Sequence, residues 1–182
     1  MSVEYMFATP IWKFKLENSE SINKTLTRIA PDFDGGNYFT SDVPPILELK
    51  DFVEGKIIEV TKELGWDASN LNIQARQNVT MPGGCDTPHH HPTCYIVAVY
   101  YMKVPEKSGG IMFHDPRGSV IWRDKQANTG ITYCDARPFH RIIPEPGTLL
   151  IFPGYLVHSV ETNLSDDVRI SVVCDIEEVK IK

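Results

Sequence analysis

The sequence predicts a mainly β protein of the α+β class, in which helices come first and an antiparallel β-barrel or sandwich of about eight strands follows. Two observations predict this class. Residues 17–65 contain apolar residues at the helical period, whereas residues 70–176 contain short β-branched and aromatic runs separated by Pro, Gly and Asp clusters. With 42% hydrophobic and 23% charged residues, the 182-residue chain has the balance of a globular protein. We therefore expect one domain over residues 1–182.

One strand and two helices are predicted in the N-terminal part. Residues 11–16 alternate apolar residues with lysines, a pattern typical of a half-buried strand. Ser19 is positioned to cap the first helix, whose apolar residues keep the helical period up to Ile29. The second helix is predicted over residues 46–64, because Gly65 follows where a helix C-terminus favours a left-handed residue.

The later segments have the composition of strands. Residues 95–102 are nearly all β-branched or aromatic, which predicts a central strand covered on both faces. The predicted strands are residues 71–80, 94–104, 110–113, 130–133, 148–152 and 168–176.

The composition of the chain argues against binding to nucleic acid or to a membrane, and against secretion. The formal net charge is −6 and no long basic run occurs, so we expect no attraction to nucleic acid or to an anionic membrane. A secretory signal and a membrane span are not predicted, because no sufficiently long apolar stretch is present. The four cysteines lie far apart without a C-x-x-C pair, which favours reduced thiols and a cytoplasmic protein.

Histidines in the strand-rich part predict a metal site. On an extended chain, His89 and His91 point to the same face, whereas His90 points away. His158 is the best candidate for a third ligand, because it follows a predicted strand and turn at residues 147–154. Three imidazoles suit iron, zinc, copper or nickel. A solvated histidine loop without a metal is the alternative.

An arginine follows His158 within an apolar run. Arg169 and Ser171 are two residues apart and share one face of the last predicted strand. An arginine that points into an apolar barrel is costly unless it meets an anion. Its planar guanidinium fits a carboxylate in two parallel hydrogen bonds, and a serine hydroxyl can add a third. These residues predict a carboxylate-binding site, with a surface arginine on an edge strand as the alternative.

In this order, the motifs of residues 70–176 resemble the iron(II)- and 2-oxoglutarate-dependent oxygenases, and their spacing is most similar to the prolyl-hydroxylase branch. A narrower group of such oxygenases, common in marine bacteria and their phages, is similar over nearly the whole chain, notably at residues 6–11, 89–101 and 115–117. The motifs of the broader resemblance are His89-x-His91, Tyr100-Tyr101, Ser108-Gly109-Gly110, Pro146-Gly147, His158 and Arg169-x-Ser171.

The resemblance implies a double-stranded β-helix of the jelly-roll or cupin-like type, with the N-terminal helices packed on it. In such proteins a histidine, a nearby carboxylate and a distal histidine hold Fe(II). His89 and His158 match the two histidines. Arg169 matches the anchor of the distal carboxylate of 2-oxoglutarate, and Ser171 matches its partner. Tyr101 matches a tyrosine that hydrogen-bonds the same carboxylate, with a core aromatic as the alternative.

One residue departs from the pattern of the broader family. This chain has His91 where the usual H-x-D motif has its aspartate, although the H-x-H form recurs in the narrower group. We predict that His89, His91 and His158 are the catalytic iron ligands. Asp86 and Asp115 are the alternatives for a carboxylate ligand.

The resemblance implies a dioxygenase that uses Fe(II), 2-oxoglutarate and O2 to hydroxylate an unknown substrate, with succinate and CO2 as co-products. Two rivals stay open: a three-histidine cupin-type dioxygenase that needs no 2-oxoglutarate, and a non-catalytic β-barrel binding or accessory protein. Arg76, Asn78, Trp122 and Tyr155 are candidates for the mouth of the site, with ordinary packing as the alternative. The sequence identifies neither the substrate nor the oligomeric state, for which a homodimer is left open.

Overall fold

A computed structural model describes residues 8–30, 36–117 and 139–181 of the chain. The strand predicted at residues 130–133, Cys134 and Trp122 lie outside the described residues. The described elements are β1 (Trp12–Lys15), α1 (Ser19–Ile29), α2 (Pro44–Glu63), β2 (Trp66–Thr80), β3 (Asp86–His89), β4 (Ile96–Lys103), β5 (Ile111–His114), β6 (Phe139–Ile142), β7 (Thr148–Pro153), β8 (His158–Val160) and β9 (Arg169–Ile181), together with a short 3-10 turn at Tyr38–Thr40.

The strands form two antiparallel sheets that face each other. The larger sheet has the order β1-β7-β4-β9-β2, and the smaller has the order β3-β8-β5-β6. An apolar cluster between them joins β4, β5, β7 and β9 through residues such as Val99, Phe113 and Phe152. This two-sheet arrangement confirms the predicted mainly β class with an antiparallel barrel or sandwich.

Strand β4 lies at the centre of the larger sheet and is buried on both faces, as predicted. Its side chains alternate, because successive residues of a strand point to opposite faces. Val97, Val99 and Tyr101 point to the facing sheet. Residues of the other set pack against the helices, where the Tyr100 hydroxyl donates a 2.8 Å hydrogen bond to Oδ1 of buried Asn23 in α1.

The two helices cover the outer face of the larger sheet and form a second apolar cluster with it. The prediction that Ser19 caps α1 is wrong. Asn18 holds the cap position with a left-handed φ of 53°, a conformation that asparagine tolerates better than most residues. Helix α2 begins at Pro44, earlier than predicted, since proline is accepted in the first turn of a helix. Gly65 has the expected positive φ, 71°.

Two further observations bear on the expectations from composition. In the described ranges, no helix is long and apolar enough to cross a membrane. The described cysteines Cys85, Cys94 and Cys174 are free thiols, and only Cys174 is fully buried in the core.

Candidate metal centre

Three predicted site histidines lie together at one end of the space between the sheets. His89 ends β3 and is paired with His158 of β8. His91 lies just beyond β3, where its backbone N–H donates a 2.9 Å hydrogen bond to the carbonyl of Gly154. The candidate ligand atoms of the three histidines all lie within 4.8 Å of one another.

The ring geometry of this histidine triad fits a shared metal ion. The ring centres of His89 and His158 are 4.4 Å apart, and those of His91 lie 5.2 Å from His158 and 5.4 Å from His89. Ring nitrogens about 2.1 Å from one ion place neighbouring ring centres roughly 4.5–5.5 Å apart. Three imidazoles in this arrangement suit Fe(II) among other transition metals and leave coordination positions open.

Each histidine of the triad has its Nδ1 atom held by an oxygen. Nδ1 of His89 lies 2.8 Å from the carbonyl oxygen of Thr87, and Nδ1 of His158 lies 2.9 Å from that of Leu156. Nδ1 of His91 instead lies 2.6 Å from a carboxylate oxygen of Asp175. A hydrogen on Nδ1 leaves Nε2 as the lone-pair nitrogen, so all three Nε2 atoms are available to a metal.

The surroundings of His158 keep its imidazole in the ligand form. The ring is buried against Phe152, with ring centres 4.9 Å apart. Burial lowers the pKa of His158 to about 4, and the nearby His89 and His91 act in the same direction. The side chain is therefore neutral at pH 7 and can donate its lone pair to a metal.

The two aspartates considered as alternative ligands, Asp86 and Asp115, do not join the triad in one group of close ligand atoms in the described structure. Asp115 is bound to the backbone N–H and the guanidinium of Arg117, at 2.9 Å and 2.6 Å. Asp86 lines the adjoining cavity, where Asn78 donates a long 3.4 Å hydrogen bond to it.

A cavity of about 180 Å³ adjoins the triad between the two sheets. Its polar wall includes Asn78, Tyr101 and Ser171. These residues lie side by side, because the strand registers pair Ser171 of β9 with Tyr101 of β4 and with Asn78 of β2. Arg76 also lines this cavity, whereas Tyr155 lies in a neighbouring apolar hollow.

Arg169 is buried beside this wall without an acidic partner. The residue is 2% exposed, and its guanidinium donates to the carbonyl of Ser108 at 3.2 Å and to the hydroxyl of Thr80 at 3.1 Å. Among the described residues, no carboxylate forms a salt bridge with it. Burial lowers the pKa of Arg169, yet an arginine side chain stays protonated. Asp86 acts on Arg169 without a salt bridge, so a buried cation whose hydrogen-bond partners are neutral fits an anionic ligand.

Hydroxyl groups around Arg169 can add hydrogen bonds to such an anion. Burial raises the pKa of the Tyr101 phenol, although the Arg169 cation opposes this effect. Tyr101 is therefore a neutral donor at pH 7. The Ser108 hydroxyl is buried without a hydrogen-bond partner in the described structure. The structure thus brings together three predicted residues, Arg169, Tyr101 and Ser171, and it adds Ser108 to this group.

Asp175 and Thr80 were not singled out from the sequence. Asp175 lies on the same face of β9 as Arg169 because an even number of residues separates them, so the two-residue period could have indicated it. Thr80 meets Arg169 through the pairing of β2 with β9. No pattern in the sequence predicts that register.

Comparison with known proteins gives a family match and a fold match. The family model described as "Putative 2OG-Fe(II) oxygenase" matches residues 75–175, which is more than half of the chain. That segment contains all three triad histidines and Arg169. A search of curated proteins gives no significant match.

Two solved structures illustrate the fold match. A Pseudomonas putida prolyl-4-hydroxylase has a TM-score of 0.65 at 12% identity, covering 93% of this chain and 88% of that protein. HygX from Streptomyces hygroscopicus, solved with nickel, 2-oxoglutarate and hygromycin B bound, has a TM-score of 0.65 at 9% identity, covering 93% and 83%. Identities this low establish the fold alone, and they confirm the predicted double-stranded β-helix.

Proposed function

Since this chain belongs to the 2OG-Fe(II) oxygenase family, we propose that His89, His91 and His158 hold its Fe(II) and that Arg169 anchors its 2-oxoglutarate. The protein is an oxidoreductase, and its substrate is unknown. When bound, iron supplies the oxidative chemistry with O2 and 2-oxoglutarate, giving succinate and CO2 as co-products. The protein's own side chains bind and orient these groups.

The side chains proposed for the metal act by position and by protonation state. The three Nδ1 contacts leave Nε2 for the metal, and the candidate ligand atoms lie within 4.8 Å of one another, so we expect little reorganisation when the metal binds. Phe113 and Phe152 pack beside His158 and exclude water from that side of the site. These contacts fix the His158 ring, and burial keeps it neutral.

The observation that carries the proposal is the buried guanidinium of Arg169 with two neutral hydrogen-bond acceptors and no acidic partner in the described structure. A carboxylate of 2-oxoglutarate would neutralise this charge. Tyr101 and Ser171 line the cavity on the same side and would donate their hydroxyl hydrogens to it.

The family match favours this function over its rivals. A three-histidine dioxygenase that uses no 2-oxoglutarate would need a buried cation beside its metal only for an anionic substrate. Family membership argues against a binding module without catalysis. The metal and 2-oxoglutarate in the HygX structure support the proposal that both occupy the cavity of this chain.

The proposal includes three broader features. We propose that residues 1–182 form one domain, since the helices share an apolar core with the larger sheet. We propose a cytoplasmic location, for which the free described cysteines are the support. A homodimer stays an open proposal.

The test of the proposed function is Arg169→Ala, with Arg141→Ala as the matched control. Arg141 is an exposed arginine whose side chain pairs with Glu161. Losing a charged hydrogen bond in a buried site costs on the order of 1.5–3 kcal/mol, which corresponds to at least about a tenfold loss of affinity. We expect Arg169→Ala to weaken 2-oxoglutarate binding by that factor in anaerobic calorimetry of the Fe(II)-loaded protein.

Two comparisons make the result specific. Fe(II) affinity should be nearly the same in the wild type and in Arg169→Ala, because the hydrogen bonds of Arg169 in the described structure go to Ser108 and Thr80 and not to a triad histidine. Arg141→Ala should leave both affinities unchanged. If Arg169→Ala bound 2-oxoglutarate as tightly as the wild type, the proposed role of Arg169 would be wrong.

A further inference from the structure

Asp175 contacts the triad from behind His91. One of its carboxylate oxygens, Oδ1, lies 2.6 Å from Nδ1 of His91, and the two side chains are 17% and 9% exposed. Oδ1 is buried, and no hydrogen bond of good geometry reaches it in the described structure. The polar group that faces this buried oxygen is the His91 ring.

The backbone around Asp175 fixes its position. The residue lies within β9, where its neighbours across the sheet are Val97 of β4 and Gln74 of β2. Its second oxygen, Oδ2, is bound by the guanidinium of Arg76. With Oδ2 occupied by Arg76, Oδ1 is the oxygen directed at His91.

His91 differs from the other two triad histidines in this contact. Nδ1 of His89 and of His158 each meet a neutral backbone carbonyl two residues earlier in the chain. Only His91, of the three, meets a carboxylate, which is a stronger hydrogen-bond acceptor than a carbonyl. A carboxylate on Nδ1 sets the tautomer, orients the ring and raises the basicity of Nε2.

The function that we infer for this contact follows from the charge of the metal site. Three neutral imidazoles carry no negative charge to offset a divalent cation. Asp86, an acidic residue that lines the cavity, is not among the close candidate ligands in the described residues. Asp175 therefore provides the carboxylate in direct contact with a triad member.

We propose that Asp175 is a positioning residue, which orients His91 and supplies negative charge to the metal centre through it. This inference rests on the proposed function, because it takes the histidine triad as the metal site. In this arrangement the carboxylate stands one imidazole away from the metal and leaves that coordination position to His91.

The experiment compares Asp175→Asn and Asp175→Glu in metal titrations of the full chain. Asparagine keeps the size and a hydrogen-bond acceptor but removes the charge, whereas glutamate keeps the charge on a longer side chain. Replacing an outer carboxylate of this kind typically weakens metal binding by about 10–100-fold. We expect Co(II) affinity to fall in the order wild type, Asp175→Glu, Asp175→Asn.

A spectroscopic readout separates charge donation from a structural role. The visible absorption bands of bound Co(II) report the donor strength of its ligands, so they should shift in Asp175→Asn. The melting temperature of the metal-free variant measures folding independently. Asp167→Asn is the matched control, because Asp167 is an exposed aspartate paired with Lys103, and it should change neither Co(II) affinity nor the spectrum.

Three outcomes would overturn the inference. The first is wild-type affinity and spectrum in Asp175→Asn, and the second is tighter binding by Asp175→Asn than by Asp175→Glu. The third concerns Cys94, whose sulfur forms a second group of close candidate ligands with His91 and Asp175. If Cys94→Ser weakened Co(II) binding as much as Asp175→Asn, the metal would lie in that second group.

His158→Ala distinguishes failure of this inference from failure of the proposed function. Loss of Co(II) binding in His158→Ala, together with wild-type behaviour of Asp175→Asn, would reject only the role of Asp175. Retained binding in His158→Ala would reject the histidine triad as the metal site.

Discussion

Gly154 joins the turn after β7 to the chain segment that carries His91. Its carbonyl accepts a hydrogen bond from the His91 N–H at 2.9 Å, and its own N–H donates to the carbonyl of Tyr95 at 3.0 Å. A Cβ atom built on Gly154 would overlap the carbonyl oxygen of Cys94 and lie 3.1 Å from that of His91. Because these neighbours are backbone atoms, the change Gly154→Ala forces the two segments apart.

The cost of Gly154→Ala follows from this overlap. Overpacking of a closely packed site costs typically about 1–3 kcal/mol. In a domain of this size, each 1 kcal/mol corresponds to about 2–4 °C in Tm. We therefore expect a Tm lower by roughly 4–8 °C, for a central cost of about 2 kcal/mol. Metal affinity should also fall, by at least about tenfold, because His91 moves with its backbone.

Gly55→Ala is the matched control and should have the opposite sign. Gly55 lies on the exposed face of α2, and a Cβ there would meet nothing within 4 Å. Alanine in a helix interior is more stable than glycine by about 0.5–1 kcal/mol. Differential scanning calorimetry and Co(II) titration measure both variants. A Gly154→Ala protein as stable as the wild type, with unchanged Co(II) affinity, would refute the reasoning.

Two further predictions concern the triad and the helical layer. His89→Ala and His158→Ala should each abolish stoichiometric Fe(II) binding in anaerobic titration. His90→Ala should not, since His90 belongs to neither group of close candidate ligands among the described residues. Unchanged affinity in both triad variants would contradict the assignment. Tyr100→Phe should lower the free energy of unfolding by about 1 kcal/mol, because Asn23 loses a buried hydrogen bond. Urea denaturation measures this loss, and an unchanged midpoint would show that the bond is not stabilising.

The extent to which the fold could be predicted depended on the length and polarity of each element. The two helices were predicted because their apolar periodicity extends over many residues, and β4 was predicted because it is a nearly continuous run of β-branched and aromatic residues. β3, β6 and β8 were not predicted as strands, since at least half of their three or four residues are polar. The equally short β1 and β5 were predicted from their apolar residues. The first residues of β2 are polar, so its start at Trp66 was also missed.

Prediction of the site followed a similar division. The spacing of His89 and His91 and the apolar neighbours of Arg169 are local features, so the sequence was sufficient to single these residues out. The contact between Asp175 and His91 joins segments far apart in the chain. It depends on strand register and on the turn at Gly154, and both are set by packing that a single sequence does not display.

The alternation of side chains along β9 limits where residues can be inserted into or deleted from this chain. Arg169, Ser171 and Asp175 face the space between the sheets, whereas Ile170 and Cys174 face the helices. Insertion or deletion of one residue early in the strand would exchange these two sets and direct charged groups into the helical core. Insertions and deletions that adapt the enzyme to another substrate are therefore expected in the connecting loops, while β9 keeps its number of residues.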